Sequence, residues 1–497
     1  MADSIREKFP TDADLARLGR YHKNQQLLNS KHYDAFAITG EKDFSEGYNR
    51  LRYIVANFDG LVAKTSADLL FGEEIKIEGP NKIQKWIDAL VFKNKLNPQL
   101  WESANSNAAK GDAILRVRLQ KNETGEPNII IEDSNVATYF PEINKANVRE
   151  HPRVENIVWY ENRIVSGEAR VFVIKERHSP GSIDLMIWLT EKAKAGATQH
   201  NLETQWTVEA YNNSFGANYV EHVDTKIDDN LIVHIPNYRN DGSSEYWGVS
   251  DFIDLETLQF ELNNRLTKNA NILDKHSDPI LAVPPGVLGK DGQVKKEYLS
   301  MFEMGAGDNR MPEYVVWNAN LEAAFKQIDR MVDFLLMMSE TSPALIGLDK
   351  NGVAESGRAL KMRLIRSISK KNRKQRYYDQ GITEAVVLAE KISIAHGIPI
   401  MGQSLGDSPE LVDIRWQDGI VDDVVEKSER IIKEVDAGLM SETKAIMELQ
   451  GVSEQEAKRE VKEIKKSRAD FTSITDTMNP GGSDGGNLNA DDTNNDE

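Results

Sequence analysis

The feature that most limits how this chain can fold is a change of hydrophobic period, made twice. From residue 11 to 110 apolar residues recur at spacings of three and four; from about 111 to 235 they alternate; from about 248 the helical spacing returns. Helices, then a block of strands, then helices do not make repeating strand–helix–strand units. The order predicts an α+β fold whose sheet comes from one contiguous stretch. The strand-like runs are GDAILRVRLQ, PNIIIED, NIVWYEN, ARVFVIKER, SIDLMIWLT, TQWTVEAYN and LIVHIPN, and their short connections predict antiparallel meanders. Within the first helical block, residues 46–72 predict one amphipathic helix with Leu51, Ile54, Val55, Phe58, Leu61 and Val62 on its stripe, stopping at Gly72. A short strand follows over 73–78. Pro80 then opens a helix, where its missing N–H costs least, and another runs from Pro98 to Lys110.

In the second helical block, Leu255, Leu258, Leu262, Leu266 and Leu273 mark one helix, and Leu321, Phe325, Ile328, Val332 and Leu335 mark a second. Between them, residues 276–320 are rich in Pro and Gly and hold two strand candidates, 279–283 and 313–317. The pair predicts a long helical hairpin with a decorated tip. A loop over 342–356 leads to a helix expected to run to Gly397. Residues 422–468 are helical and charge-rich; Gly438 ends one helix, Ser441 caps the next, and Ser453 with Glu456 has capping-box spacing. Residues 470–497 carry seven acids and no Lys or Arg, and predict a disordered tail.

One segment departs from the charge of the rest. The chain has a formal net charge of −18, yet residues 358–376 hold Arg358, Lys361, Arg363, Arg366, Lys370, Lys371, Arg373, Lys374 and Arg376 with no acid among them. On a helix, Leu360, Leu364, Ile365 and Ile368 fall on one side, and Arg363, Arg366, Lys370, Arg373 and Lys374 on the other. A solvated helix face usually alternates sign for i,i+4 support. An unbroken cationic run instead suits nucleic-acid phosphate or the acidic face of another subunit, and the sequence leaves both open.

Enzyme signatures do not accumulate. There is no cysteine, so disulfides, thiolate catalysis and Cys-based zinc sites are excluded, and an intracellular setting is expected. PPGVLGKD (284–291) lacks the spacing and the Ser or Thr of a phosphate-binding loop. GAG at 305–307 is a turn fragment. The nine histidines form no metal-binding pair, and Asp228-Asp229 and Asp422-Asp423 point apart as sequence neighbours. No metal, cofactor or catalytic residue is expected. MADSIREKFPTDADL has no apolar core of a secretory signal, and no apolar run approaches the ~20 residues of a membrane span, so no membrane partner is expected.

The order of parts resembles the portal protein of tailed bacteriophages, of the siphophage type. YWGVSDFIDLETLQFELNNRL (246–266) is similar to the portal pattern in which a Gly-x-Ser-Asp turn opens the first stem helix. NANILDKHSDPILAV (269–283) resembles the exit from that helix into the clip. ESGRALKMRLIRSISKKNRKQRYYDQGITEAVVLAEKI (355–392), with its Ser-Gly-x-Ala-Leu start, resembles the long kinked helix, and VVEKSERIIKEVDAGLMSETKAIMEL (424–449) the crown. The resemblance covers about residues 40–468.

It implies an N-terminal helical segment (1–45), an α/β wing (46–247), a first stem helix (248–275), a clip (276–320) and a second stem helix (321–341). A tunnel loop (342–356), a long basic helix returning to the wing (357–421), a helical crown (422–468) and an acidic tail (469–497) follow. It also implies a homo-oligomeric ring, commonly of twelve, at one vertex of the capsid in the virion, assembled in the host cytoplasm. Double-stranded DNA would pass through the axis. The terminase large subunit would dock during packaging and a head–tail adaptor afterwards, with major capsid and scaffolding proteins around the ring. Asp349, Lys350, Asn351 and Gly352 are the tunnel-loop candidates, and Pro284, Pro285, Lys290, Lys295 and Lys296 the clip docking candidates. The alternative class is a nucleic-acid-processing enzyme or DNA-binding regulator that uses 358–376 as a binding helix; a coat or scaffolding protein fits the helical hairpin less well. On the portal reading, reversing Arg363, Arg366 and Lys370 to Glu should damage assembly or packaging without any catalytic effect.

Overall fold

The computed structural model describes residues 8–38, 53–121, 125–191, 198–241, 245–277, 280–283, 301–303, 313–315, 321–348, 357–406, 408–416, 424–452, 454 and 456–466. The elements in chain order are β1 (Lys8–Phe9), α1 (Asp12–Leu28), α2 (His32–Ala35), α3 (Phe58–Phe71), β2 (Lys76–Glu78), α4 (Asn81–Asn94), α5 (Leu96–Lys110), β3 (Asp112–Lys121) and β4 (Pro127–Ser134). Then come β5 (Tyr139–Pro141), β6 (Glu155–Val165), β7 (Glu168–Ser179), β8 (Ser182–Thr190), β9 (His200–Trp206), α6 (Val208–Phe215), β10 (His222–Asp224) and β11 (Ile232–Pro236). The last are α7 (Glu256–Ser277), β12 (Ile280–Val283), β13 (Met301–Glu303), β14 (Glu313–Val315), α8 (Leu321–Met338), α9 (Gly357–Arg363), α10 (Ile365–His396), β15 (Asp413–Arg415), α11 (Val424–Asp436) and α12 (Glu442–Gln450).

Tertiary contacts divide the chain into two units, residues 1–354 with 360–419, and residues 355–359 with 420–497. The first is mixed α and β, as the period change predicts. Its largest sheet runs β1-β9-β8-β7-β6-β5, with β10 added beside β8, and β5 to β9 form an antiparallel meander. A second sheet, β11-β3-β4, is also antiparallel. The main core lies between this second sheet and helices α3, α4, α5 and α10, around Trp86, Leu90, Leu100, Tyr378 and Val386. Gly381 makes the close approach possible: a Cβ there would lie 2.5 Å from the Ile235 side chain, so only glycine lets α10 settle onto β11. Between α7 and α8 sits a three-stranded sheet, β13-β12-β14, in which β13 pairs parallel to β12. The hairpin with a β-bearing insertion is therefore present, with a strand at 301–303 that alternation did not signal. In the second unit α11 and α12 form a hairpin; Gly438 turns with φ +69°, Ser441 caps α12 at Lys444 N, and Arg430 bonds Glu448 at 2.6 Å. Ser453 and the tail from 467 lie outside the described residues.

Two sequence expectations are corrected. The 204–212 run is not one strand: β9 stops at Trp206, and Thr207 caps α6 by accepting from Ala210 N at 3.2 Å. The expected helix over 46–72 begins only at Phe58. Residues 53–57 are non-helical because α7 offers them a better set of partners. The N–H groups of Ile54, Ala56 and Phe58 donate to Thr267 Oγ1 (2.9 Å), Asn263 Oδ1 (3.1 Å) and Gln259 Oε1 (3.1 Å). Four residues of helix rise about 6 Å and two extended residues about 6.6 Å, so a polar stripe at i, i+4, i+8 can serve every second N–H of an extended segment. Gln259 Nε2 returns a bond to Ala56 O at 2.6 Å, and Asn263 Nδ2 pairs with His32 Nδ1 at 3.0 Å. Gln259 and Asn263 are fully buried. Gln259→Ala removes both side-chain bonds and leaves Phe58 N and Ala56 O only their bond to each other at 2.9 Å, so a loss of about 1–2 kcal/mol, read by chemical denaturation, is expected.

Candidate functional site

The Gly-x-Ser-Asp turn supplies the geometric centre of the basic helix's surroundings. Gly248 lies so close to Gly111 that a Cβ would meet its carbonyl oxygen at 2.0 Å, and Gly248 N donates to Asp112 Oδ1 at 2.7 Å. The next residues close the C-terminus of α5: Ser250 Oγ donates to Ala109 O at 2.5 Å and Asp251 N to Ala108 O at 2.9 Å. These carbonyls have no partner within a helix end, so the turn satisfies them and fixes where Asp251 points. Its carboxylate is buried. Oδ1 accepts from Asn237 Nδ2 at 2.9 Å, and Oδ2 receives Lys370 Nζ at 2.8 Å and Lys374 Nζ at 2.6 Å.

The same stretch of α10 closes the C-terminus of α8. Lys370 Nζ donates to Ser339 O at 2.9 Å and Ser367 Oγ to Glu340 O at 2.9 Å, while Ser342 N donates to Ser367 Oγ at 2.9 Å. Cations belong at a helix C-terminus, where unpaired carbonyls carry partial negative charge. Glu340 adopts φ +56°, a conformation that favours glycine, and its carboxylate bonds Arg366 at 2.6 Å and also Arg373. Lys374 Nζ further donates to Ser66 Oγ at 2.6 Å, so one basic helix ties α3, the 248–251 turn and the end of α8 together.

Burial alone would raise the Asp251 carboxyl, but Lys370 and Lys374 outweigh it and hold it well below the ordinary carboxylate range. Burial pushes the Lys374 ammonium down to about 7, against the opposing pull of Asp251. One carboxylate thus serves two lysines in a site closed to water.

This corrects the expected amphipathic face. The helix breaks at Leu364, between α9 and α10, so the apolar stripe is not continuous. Lys370, Lys371 and Lys374 are buried, whereas Leu360 and Ile365 are exposed. The physical reason is the carboxylate beneath the helix: burying Asp251 requires cations on that face. Lys370 is therefore unsuitable for the charge reversal, since a glutamate there would face Asp251 inside the fold. Lys361, Arg366, Arg373 and Arg376 are exposed and Arg363 is half-buried; Arg358 lies in α9. Sequence reasoning missed Asp251 and Glu340 as partners; the Gly-x-Ser-Asp turn was the signal that could have found the first. Asp349, Lys350, Asn351 and Gly352, and Pro284, Pro285, Lys290, Lys295 and Lys296, lie outside the described residues.

A second feature of α8 is apolar surface left exposed at its C-terminal end. Met331, Leu335 and Leu336 are buried, with the first two packed with Leu255 and Leu262 at the α7 side. Phe334 (47% exposed), Met337 (63%) and Met338 (51%) are exposed at the end of the helix: Met338 continues the Met331–Leu335 line by one turn, Phe334 flanks it, and Met337 is turned away. Among the described residues no group of three His, Asp or Glu is placed to hold a metal ion, and no helix is long and apolar enough to cross a membrane.

Residues 190–470, more than half the chain, match the family model described as phage portal protein, SPP1 Gp6-like. The chain belongs to that family. It is a phage portal protein, and the basic helix, the Gly-x-Ser-Asp turn and both helices of the hairpin all fall inside the matched span. Among solved structures, a chain of the virion of a native gene transfer agent particle is similar at 12% identity and a TM-score of 0.37, covering 78% of this portal chain and 87% of that one. No curated protein matches this portal sequence.

Proposed function

We propose that this portal protein closes into a ring of identical copies, twelve on the family resemblance, with double-stranded DNA passing along its axis during packaging and ejection. In this reading α7 and α8 are the stem, β12–β14 the core of the clip, the large sheet the wing, and α11 with α12 the crown. The terminase large subunit and then the head–tail adaptor dock at the clip, and capsid and scaffolding proteins surround the ring. The observation that carries the proposal is α8, whose C-terminal turn leaves Phe334, Met337 and Met338 clustered and exposed beside its buried stripe, an apolar patch of the kind that marks an interaction surface. The buried stripe packs on α7 of the same chain, and the Phe334–Met337–Met338 patch suits a neighbouring copy. A head-to-tail contact of this kind closes when its rotation divides the circle.

Charge supports the conduit. A wall that gripped phosphate would resist sliding, because each neutralised phosphate adds salt-dependent affinity. The chain is strongly acidic, and much of its basic helix is engaged by Asp251 and Glu340 of the same subunit. The test is the mass of the purified full-length protein at moderate salt. Twelve chains of 56.0 kDa give on the order of 670 kDa, and negative-stain images should show a central hole. A monodisperse small species that binds DNA tightly would sink the ring reading.

A further inference from the structure

Away from the basic helix, a cavity of about 310 Å³ opens between the two antiparallel sheets of the first unit. Its interior is mostly apolar, with Trp159, Ile183, Leu185, Tyr219, Leu231 and Ile392 in the wall. Three apolar residues at its lining are exposed to solvent: Leu119, Val220 (64%) and Val223. An apolar lining that is also solvent-facing is a feature of interaction sites rather than of monomer surfaces. Polar side chains also line it, and its charged groups are mostly answered within the fold. Arg116 Nη2 and His178 Nε2 both bond Glu176 Oε1 at 2.6 Å, and Arg118 bonds Glu132 at 2.8 Å. Burial would raise Glu176, but the bonds from His178 and Arg116 outweigh it and hold its carboxyl at about 2, so the arginine charges are answered within the fold. Asp224, also in the lining, accepts from Lys226 N at 2.8 Å. What the wall lacks is neutral hydrogen-bond partners: Arg116 Nε and His178 Nδ1 are buried without one, and His178 is 3% exposed.

The cavity is bordered by a sheet edge. β10 pairs antiparallel with β8, Val223 opposite Ile183, and among the described residues no strand pairs with its other side. All three of its residues are exposed. A short free edge beside an apolar hole is the arrangement used when a protein adds an extended segment as an extra strand, with main-chain bonds for affinity and a pocket for alternate side chains.

We propose that this cavity receives an extended, uncharged apolar segment of a partner protein, which pairs with the outer edge of β10 and rests one aromatic or β-branched side chain against the contacting rings of Trp159 and Tyr219 (centroids 6.1 Å apart). The balanced charges of the lining select against an acidic or basic peptide. A peptide group carries both an acceptor and a donor, the two kinds of partner that Arg116 Nε and His178 Nδ1 lack in this wall. The inference does not depend on ring closure.

The test uses the full-length protein and a fluorescein-labelled Thr-Val-Phe-Val-Thr peptide, read by anisotropy. Saturable binding is expected. Val220→Asp and Val223→Asp, both at exposed positions, should each weaken it by at least about ten-fold, and replacing the peptide's two valines by proline should do the same by removing main-chain donors. Absence of saturable binding, or equal binding by wild type and both Asp variants, overturns the proposal. Because the chain has no cysteine, Val220→Cys carries a single environment-sensitive dye. The dye should report water until peptide is added; a dye shielded in the assembled protein without peptide would show a second copy as the occupant, and the proposal falls.

Discussion

Asp251→Asn is expected to cost about 3–5 kcal/mol of stability, the largest effect of any single substitution considered, because it leaves two lysines buried against a neutral group. Asn keeps the shape and can keep the bond from Asn237 Nδ2, but its amide NH2 then faces the two lysines, so the loss combines the missing charge with the missing acceptor. Lys370 Nζ would retain Ser339 O and Lys374 Nζ would retain Ser66 Oγ, but neither accepts the positive charge. On the scale of a chain this size the change corresponds to a fall in Tm of about 3–5 °C, read by differential scanning calorimetry. The triple replacement Asp251→Leu, Lys370→Met, Lys374→Met separates two explanations. If the penalty is uncompensated charge, the triple variant should recover most of the loss, since a buried ion cluster is rarely worth more than good apolar packing. If the triple variant is as unstable as Asp251→Asn, the cluster contributes net stability.

The same cluster predicts a dependence on pH. Lys374 gives up its proton near 7 when folded and near its ordinary value of 10.5 when unfolded. Between those values the unfolded chain binds more protons, so this lysine makes stability rise with pH through that window. Lys374→Met should remove that part of the slope relative to wild type. Parallel pH profiles for the two proteins would contradict the burial-driven shift.

Much of the architecture was legible because it is written in local sequence pattern. The meander from Glu155 to Thr190 is rich in β-branched and aromatic residues in short runs between turn residues, and the α7–α8 pair carries apolar residues at helical spacing. The failures share a cause. Residues 53–57 have helical apolar spacing, but Gln259, Asn263 and Thr267 bind their N–H groups from across the fold, and a polar stripe on a helix more than two hundred residues away has no local signature. The run at 204–212 misled because Thr207 reads equally as a strand residue and as a helix cap. The basic helix is legible in the sequence, but its faces are mixed: Leu364 is buried and Arg366 and Arg373 exposed as expected, whereas Lys370 and Lys374 are buried and Leu360 and Ile365 exposed. Sequence counts cations but does not show that one aspartate beneath the helix collects two of them. Glu340 was invisible for a similar reason: a left-handed residue is expected to be glycine, and a glutamate held there by Arg366 and Arg373 breaks the rule through contacts that only the fold brings together.

Replacing Phe334 and Met337 together by glutamate is expected to abolish the large assembly while leaving the subunit folded. Both side chains are largely exposed in the single chain, so the substitution removes little internal packing, and the Tm of the subunit should stay within about 2 °C of wild type. In a ring the same residues would be covered. Fully burying such a side chain is worth about 1.5–3 kcal/mol and about half of each is still exposed, so about 1.5–3 kcal/mol in total is lost at every interface, before the added cost of placing two carboxylates in an apolar contact. A ring repeats one contact around its circle, so a defect that weakens one weakens all of them. Mass photometry should show the high-mass species replaced by monomers or short open oligomers at the same protein concentration. Ile164→Glu is the matched control: it too is a large exposed apolar residue, but it stands singly near the end of β6, and its loss should leave the mass distribution unchanged. If the Phe334/Met337 double variant assembles like wild type, the contact between copies lies elsewhere, and the apolar patch of α8 must be covered by a different partner.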